Sequence, residues 1–333
     1  MRHVTIPVFV PGAACPFQCI FCDQEKITGR VGIPREEIRD IILRNLSTIN
    51  PEETNVEVGF FGGTFTGLPF EEQEKYFEAV IPFIKEGKIN SIRLSTRPDF
   101  ISAAILSFLK KFPVRTIELG AQSMDDEVLK KSFRGHTSED TVLASKMILA
   151  NGFRLGLQMM IGLPGDTRAK AIETAREIIR LGAHETRIYP VVVIRGTALE
   201  QLYNQGKYEP LPLEEAVSRT KDTAAVFNEA GINILRIGLH PSEGMLSKTD
   251  LVAGPFHPSF RELVMTAAWL DRFSCLLTVE PGNNINIKVN PADLNAAIGY
   301  SAKNRKVLQR HYKKVKFIQD PAIKEGSFHA DHC

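Results

Sequence analysis

Long apolar runs are missing from this chain. None approaches the ~20 residues that a membrane-spanning helix needs, which argues against a helical membrane protein. Charge of one sign is missing too: 41 Lys and Arg against 39 Asp and Glu leave a net charge of +2. The whole-chain balance therefore points to no class of partner. Low-complexity segments and short-period repeats are absent, so no repeat architecture is expected. Cysteine is scarce, with five in 333 residues. The odd count and an opening Met1-Arg2-His3 without a signal peptide do not suit a disulfide framework. The expectation is a soluble, cytoplasmic protein. A hydrophobic content of 43% and a charged content of 24% are ordinary for a globular chain. The length suits one large α/β domain with a small second one.

What cysteine there is lies concentrated. Cys15, Cys19 and Cys22 fall within eight residues. Thiolates are soft ligands that select zinc, copper(I) or iron–sulfur clusters. Three are one too few for a closed tetrahedral site. Four readings follow: unrelated buried thiols, a disulfide, a zinc site completed by Cys275 or Cys333, or an iron–sulfur cluster with one iron left open.

Short β-branched runs alternate with helical patterns at roughly 30-residue spacing. Strands are predicted at 3–10, 56–61, 91–95, 115–120, 153–160 and 185–193, with a possible seventh in the apolar run 232–239. Pro11-Gly12 would end the first strand, and Pro34 would open a helix over 34–49. Further helices are predicted at 70–85, 101–111, 125–132, 138–151, 166–181 and 213–230. The implied fold is α/β, a partial (β/α)6 TIM-like barrel spanning 1–250. Residues 251–333 read as a small α+β domain: helix 260–273, strands 274–280 and 284–289 about the turn Pro281-Gly282-Asn283, helix 303–312 and strand 314–318.

The cysteine spacing, with Phe21 before the third cysteine, resembles the cluster loop of radical S-adenosylmethionine (SAM) enzymes. Further stretches at 62–65, 95–99, 118–123, 134–137, 162–167 and 189–197 carry the resemblance over residues 15 to about 240. Within the superfamily the chain resembles the radical SAM domain of the Elongator catalytic subunit and, more distantly, oxygen-independent coproporphyrinogen III oxidase. The resemblance implies a 4Fe–4S cluster on Cys15, Cys19 and Cys22, with SAM chelated to the open iron. Reductive cleavage of SAM would yield a 5′-deoxyadenosyl radical for hydrogen abstraction. An external electron donor of the flavodoxin or ferredoxin type is implied. For the cofactor, the resemblance implies contacts from Gly62, Gly63 and Thr64 to its amino group, Gln122 and Gln158 to its ribose, and Arg134 to its carboxylate. Ser95 stands where relatives often carry Glu.

Elongator subunits carry an acetyltransferase domain after the barrel. About 80 residues stand in its place here, so acetyl-dependent chemistry by this chain alone is not expected. Lys303, Arg305, Lys306, Arg310, Lys313, Lys314 and Lys316 form a run without an acidic residue. Such a cluster attracts phosphate backbones, and a helix over 303–312 would put Lys303, Lys306 and Arg310 on one face. With an Elongator-like barrel it raises tRNA as a partner. The rivals are a radical SAM enzyme acting on a porphyrin or other small molecule, and a non-catalytic iron–sulfur or zinc RNA-binding protein. His136 and His240 have the pKa range of acid–base groups, with a structural role the alternative. Cys275 is expected inside the core of the small domain, and the end 329–333 is expected to fray.

Overall fold

A computed structural model describes residues 2–10, 15, 19–28, 35–278 and 284–332. The expectations about Pro11-Gly12, Pro34, the turn at 281–283 and Cys333 lie outside the described residues. The chain divides into two compact units, one of residues 1–212 with 223–258, the other of 213–222 with 259–333.

The first unit contains β1 (Arg2–Phe9), β2 (Thr54–Phe61), β3 (Ser91–Thr96), β4 (Val114–Gln122), β5 (Arg154–Ile161), β6 (Glu185–Pro190), β7 (Val193–Ile194), β8 (Asn233–Ile237) and β9 (Leu251–Ala253). Seven of these form one sheet in the order β1-β2-β3-β4-β5-β6-β8, and every neighbouring pair is parallel. The seventh strand is thus present. β7 and β9 pair separately and antiparallel; the strand expected over 185–193 stops at Pro190. The helix expected over 70–85 divides into Phe70–Glu78 and Ile81–Lys85. Pro82 opens the second piece, because its ring and missing N–H cannot continue a helix.

Parallel strands are usually apolar on both faces. Here they alternate. Val56, Val58 and Phe60 of β2, Ile92 and Leu94 of β3, and Leu155, Leu157 and Met159 of β5 are fully buried on one face. The other face carries Glu57, Arg93, Glu118, Glu185 and Arg187. Arg93 on β3 pairs with Glu57 on β2, Glu118 on β4 and Glu185 on β6, the last at 2.7 Å. β3 and β6 stand three spacings apart, roughly 14 Å in a flat sheet. The Arg187 guanidinium on β6 also lies 5.1 Å from the centre of the Phe61 ring on β2. Only a sheet curled about its polar face brings these groups together, and that curl makes the half-barrel. Burial opposes the charge on Arg93, yet the carboxylates of Glu118, Glu57 and Glu185 hold its pKa above the ordinary value.

The second unit packs helix Phe260–Arg272 over a three-stranded sheet of β10 (Asn284–Val289), β11 (Lys314–Gln319) and β12 (Phe328–His332). β10 is central, parallel to β11 and antiparallel to β12. Trp269, Phe273, Ile285, Ile287, Val289, Leu308 and Tyr312 form its core. Four expectations are corrected here. Residues 274–277 form a helix, not a strand, because Phe273 and Leu276, three apart, both enter the core. That helical phase turns Cys275 outward, so it is exposed rather than buried. Residues 328–332 do not fray: β12 pairs with β10 along its length. The basic helix spans only Lys303–Leu308, so Arg310 lies beyond it. Arg305 is half-buried with its guanidinium 5.7 Å from the Phe317 ring centre.

No helix among the described residues is long and apolar enough to cross a membrane.

Removing Arg93 leaves three buried carboxylates without their shared cation. Arg93→Met is expected to destabilise the first unit by about 3–5 kcal/mol, read as a lower denaturation midpoint in urea. Lys75→Ala, which breaks an exposed pair with Glu72, is the control. An Arg93→Met midpoint no lower than that control would show that the network does not hold the curl.

Candidate active site

The cysteine loop follows β1 at the carboxyl end of the sheet, where α/β barrels carry their sites. Its second half is anchored by apolar packing. Cys19, Ile20 and Phe21 are buried against Val128, Leu163, Val191, Val193, Leu199 and Tyr208, and Cys22 packs on the same cluster. The Leu199 amide donates to the Ile20 carbonyl at 2.8 Å, and the Cys22 amide to that of Cys19 at 3.0 Å.

Motifs far apart in sequence meet this loop. After β2, Thr64 Oγ1 lies 3.3 Å from Cys15 Sγ. Gly62 has φ +103°, a region that L residues rarely adopt, and a Cβ there would stand 3.2 Å from the Val10 carbonyl oxygen. From the loop after helix Asp126–Lys131, Arg134 Nη1 donates to Cys19 Sγ at 3.1 Å and Nη2 to the Gly120 carbonyl at 2.7 Å. Its buried Nε has no hydrogen-bond partner among the described residues. A Cβ at position 120 would lie 2.8 Å from Gln122 Nε2 and 3.3 Å from Arg134 Nη2. Glycine at 120 is what lets those two side chains close together. Gln122 itself has φ +65° and sits where the β4–β5 register shifts. Such outliers persist where surrounding structure holds them, commonly at functional sites.

Ser95 and Gln158 form a second group. Gln158 Nε2 donates to Ser95 Oγ at 3.1 Å and to Glu118 Oε2 at 3.3 Å. Among the described residues neither is hydrogen-bonded to Gln122 or Arg134. Glu118 also receives two bonds from Arg187, at 2.7 and 3.1 Å. Burial works against its charge, but Arg187 and Arg93 hold its pKa below the usual carboxylate range.

The charges at the loop explain what it can hold. Burial, then the neighbouring Cys19 and Cys15, push the Cys22 thiol up to about 12, against the pull of Arg134 and Gln24. Three thiolates in such a place need more positive charge than one arginine supplies. A metal centre meets that need, because coordination deprotonates the thiols outright. Among the described residues no three His, Cys, Asp or Glu side chains close around a single ion. A four-iron cluster takes its thiolates on separate irons and asks for a looser triangle. The donor set fits such a cluster.

Sequence reasoning treated 95–99 as a signature without assigning Arg97 a task. Buried Arg97 forks onto Asp99 with two 2.9 Å bonds and donates to the Arg134 carbonyl at 2.5 Å. It fixes the backbone from which Arg134 reaches the cysteines. Glu57, Arg93, Glu185, Arg187 and Arg236 were also missed. Their signal was charge recurring inside otherwise apolar strands. His136 is buried beside Arg134 and Arg97, and burial together with those cations lowers its pKa to about 4. Its ring is neutral at pH 7, which favours the structural role. His240 Nδ1 meets Arg236 Nη2 at 3.3 Å.

Residues 9–178 match the family profile of the radical SAM superfamily, and 183–271 that of the radical SAM C-terminal domain. The chain belongs to the radical SAM superfamily: it is an enzyme of the class that binds a 4Fe–4S cluster and SAM. It is 26% identical over 195 residues to a tRNA uridine(34) acetyltransferase of Methanocaldococcus infernus, a match covering 53% of this chain and 36% of that protein. It is 25% identical over 243 residues to the heme chaperone HemW of Bacillus subtilis, covering 71% and 64%. The chain thus spans about a third of the acetyltransferase's length. Among solved structures, the archaeal Methanocaldococcus infernus Elp3 with an N-terminal deletion has the same fold, with a TM-score of 0.65 at 22% identity over 82% of this chain and 63% of that one.

Arg97→Gln removes the fork on Asp99 and the hold on the Arg134 carbonyl. SAM affinity is expected to fall about tenfold, the effect of losing one charge-assisted hydrogen bond, with the fold retained. Calorimetric titration of reconstituted protein reads it, and an unchanged Kd would confine Arg97 to stability.

Proposed function

We propose that Cys15, Cys19 and Cys22 hold the 4Fe–4S cluster, that Gly62, Gly63, Thr64, Ser95, Gln122, Arg134 and Gln158 contact SAM, and that the enzyme acts on tRNA. The observation that carries the reading is the meeting of Arg134 with Cys19 and of Thr64 with Cys15, across 115 and 49 residues of sequence. When bound, the reduced cluster and SAM supply a 5′-deoxyadenosyl radical that abstracts hydrogen.

The chain's own residues bind and orient. Arg134, held by Arg97, presents its unpartnered Nε for a carboxylate, and a guanidinium fork suits that group. The apolar cluster behind Cys19 and Cys22 keeps water from the loop on that side. An external electron donor of the flavodoxin or ferredoxin type completes the reaction. In this reading residues 1–250 carry the chemistry, and 251–333 add the phosphate-binding surface.

Support for tRNA comes from the acetyltransferase relatives and from the basic run, in which Lys303, Lys306, Arg310, Lys313, Lys314 and Lys316 are exposed. Lys314 and Lys316 share one face of β11, two residues apart. A small-molecule substrate is the second reading, favoured by the match to a heme chaperone over 71% of the chain.

Protein reconstituted without oxygen is expected to bind about four irons per chain. Ala at Cys15, Cys19 or Cys22 should abolish that binding, and exposed Cys275→Ala should leave it intact. Stoichiometric zinc without iron would overturn the cluster assignment. Binding of tRNA should weaken steeply with salt through counterion release. Lys306→Glu with Arg310→Glu should weaken it and flatten the salt slope, with SAM cleavage unchanged. Equal binding after both reversals would move the small-molecule reading ahead.

A further inference from the structure

Two arginines stand side by side on the polar face of the curled sheet. Arg187 of β6 and Arg236 of β8 pair in register on adjacent parallel strands, so both side chains leave the same face. Their circumstances differ. Arg187 is satisfied: Glu118 takes two of its hydrogen bonds, and its guanidinium lies over Phe61. Arg236 has no carboxylate within ion-pair distance among the described residues. Its Nε donates to the Gly238 carbonyl at 3.0 Å, and Nη2 to the Leu239 carbonyl at 3.2 Å and to His240 Nδ1 at 3.3 Å. These contacts fix the plane of the guanidinium and leave the N–H groups of Nη1 without a protein partner among the described residues.

The position is half-buried and already positive. Burial first, and then the charge of Arg187, disfavour the Arg236 cation. Tyr189, also half-buried, follows Arg187 by two residues on β6 and so shares its face. A cation held this way, beside a like charge and without a carboxylate among the described residues, gains when an anion arrives. It is also near the chemistry. Arg187 joins Glu118, Glu118 joins Gln158, and Gln158 joins Ser95. The last two are proposed cofactor contacts.

We propose that Arg236, with the Tyr189 hydroxyl beside it, is a substrate subsite that receives an anionic oxygen group. Two oxyanions share this chemistry, the phosphate of a nucleotide and the carboxylate of a small molecule. The subsite deepens the radical SAM reading and rests on it for its place next to the cofactor. The preset guanidinium plane suits the role, since little freedom remains to be lost on binding. His240 supports that plane: accepting at Nδ1 requires the lone pair there, so the neutral ring carries its proton on Nε2.

The test uses reconstituted holoprotein with SAM, titrated calorimetrically in low salt. The probes are a uridine trinucleotide, the same trinucleotide with neutral methylphosphonate linkages, and coproporphyrin III. Arg236→Gln should weaken the preferred anionic probe about tenfold or more, leaving the neutral trinucleotide, iron content and SAM affinity unchanged. Arg236→Lys should fall between, since it keeps the charge and loses the fork. Tyr189→Phe removes one oxygen and keeps the ring; a weaker anionic probe at an unchanged melting temperature carries the test if Arg236→Gln loosens the loop. Discrimination on the trinucleotide identifies the anion as phosphate, and on the porphyrin as carboxylate. Anionic probes that bind alike to parent, Arg236→Gln and Tyr189→Phe would overturn the subsite. So would a parent protein that binds none of them, or an equal loss with the neutral trinucleotide. Absence of a cluster with Arg236-dependent anion binding intact would sink the radical SAM site and leave the subsite standing.

Discussion

The curl of the parallel sheet depends on one buried cation. Arg93 reaches carboxylates on three other strands, and the most distant of them comes within range only when the sheet bends. A buried ion pair is a poor source of net stability, because desolvation offsets much of the attraction. Its effect here is better described as specification. A flat sheet would strand Glu185 away from Arg93 and leave it unpaired in a low dielectric, at a penalty of several kcal/mol. The alternatives to the curled state are thereby removed, while the apolar face packed by Val58, Phe60, Leu94 and Leu157 supplies the ordinary driving force.

The same network sets the character of the lumen. Because Glu118 serves both Arg93 and Arg187, its carboxylate is shared between the structural floor of the half-barrel and the layer where Gln158 and Ser95 lie. A residue change at Glu118 would therefore reach both. The site end is secured by different means. Cys19, Ile20 and Phe21 are seated in an apolar cluster, and Arg134 is tied through its own carbonyl to Arg97, which is tied in turn to Asp99. The groups proposed to bind the cofactor are thus positioned from the loops around the rim, and the lumen is positioned by charge.

Much of this was legible beforehand. The strand–helix spacing and β-branched runs located the strands of the main sheet, because each strand has an apolar face with period two and each crossover needs a helix. The three cysteines were legible as a scarce residue type in a tight local pattern, the Gly-Gly turn by its place after a strand, and Arg134 through the family resemblance. What local patterns do not carry is distance across the sheet. Nothing near Arg93 in sequence reveals that Glu57, 36 residues back, and Glu185, 92 residues on, will share it. The task of Arg97 was invisible for the same reason, since the backbone carbonyl it holds lies 37 residues away. The errors in the second unit have another source. The stretch 274–277 is short and apolar, where the periods of helix and strand cannot be told apart. Cys275 was expected inside from the general burial habit of free cysteine, which the helical phase here overrides.

Two kinds of fastening have a consequence for what can vary. Arg187 and Arg93 are bound into the carboxylate network, so a change at either removes a cation that buried Glu118 shares. Arg97 and Arg134 are bound to the rim and to each other. Arg236 and Tyr189 belong to neither group in full: among the described residues Arg236 bonds only to loop carbonyls and His240, and Tyr189 lies two residues beyond Arg187 on the same face of β6. They face the lumen without holding it up. A change there alters what the lumen accepts while leaving the sheet curled and the cysteine loop seated. Specificity at β6 and β8 is thereby separable from cofactor chemistry at the rim, and the separation follows from which side chains carry structural charge.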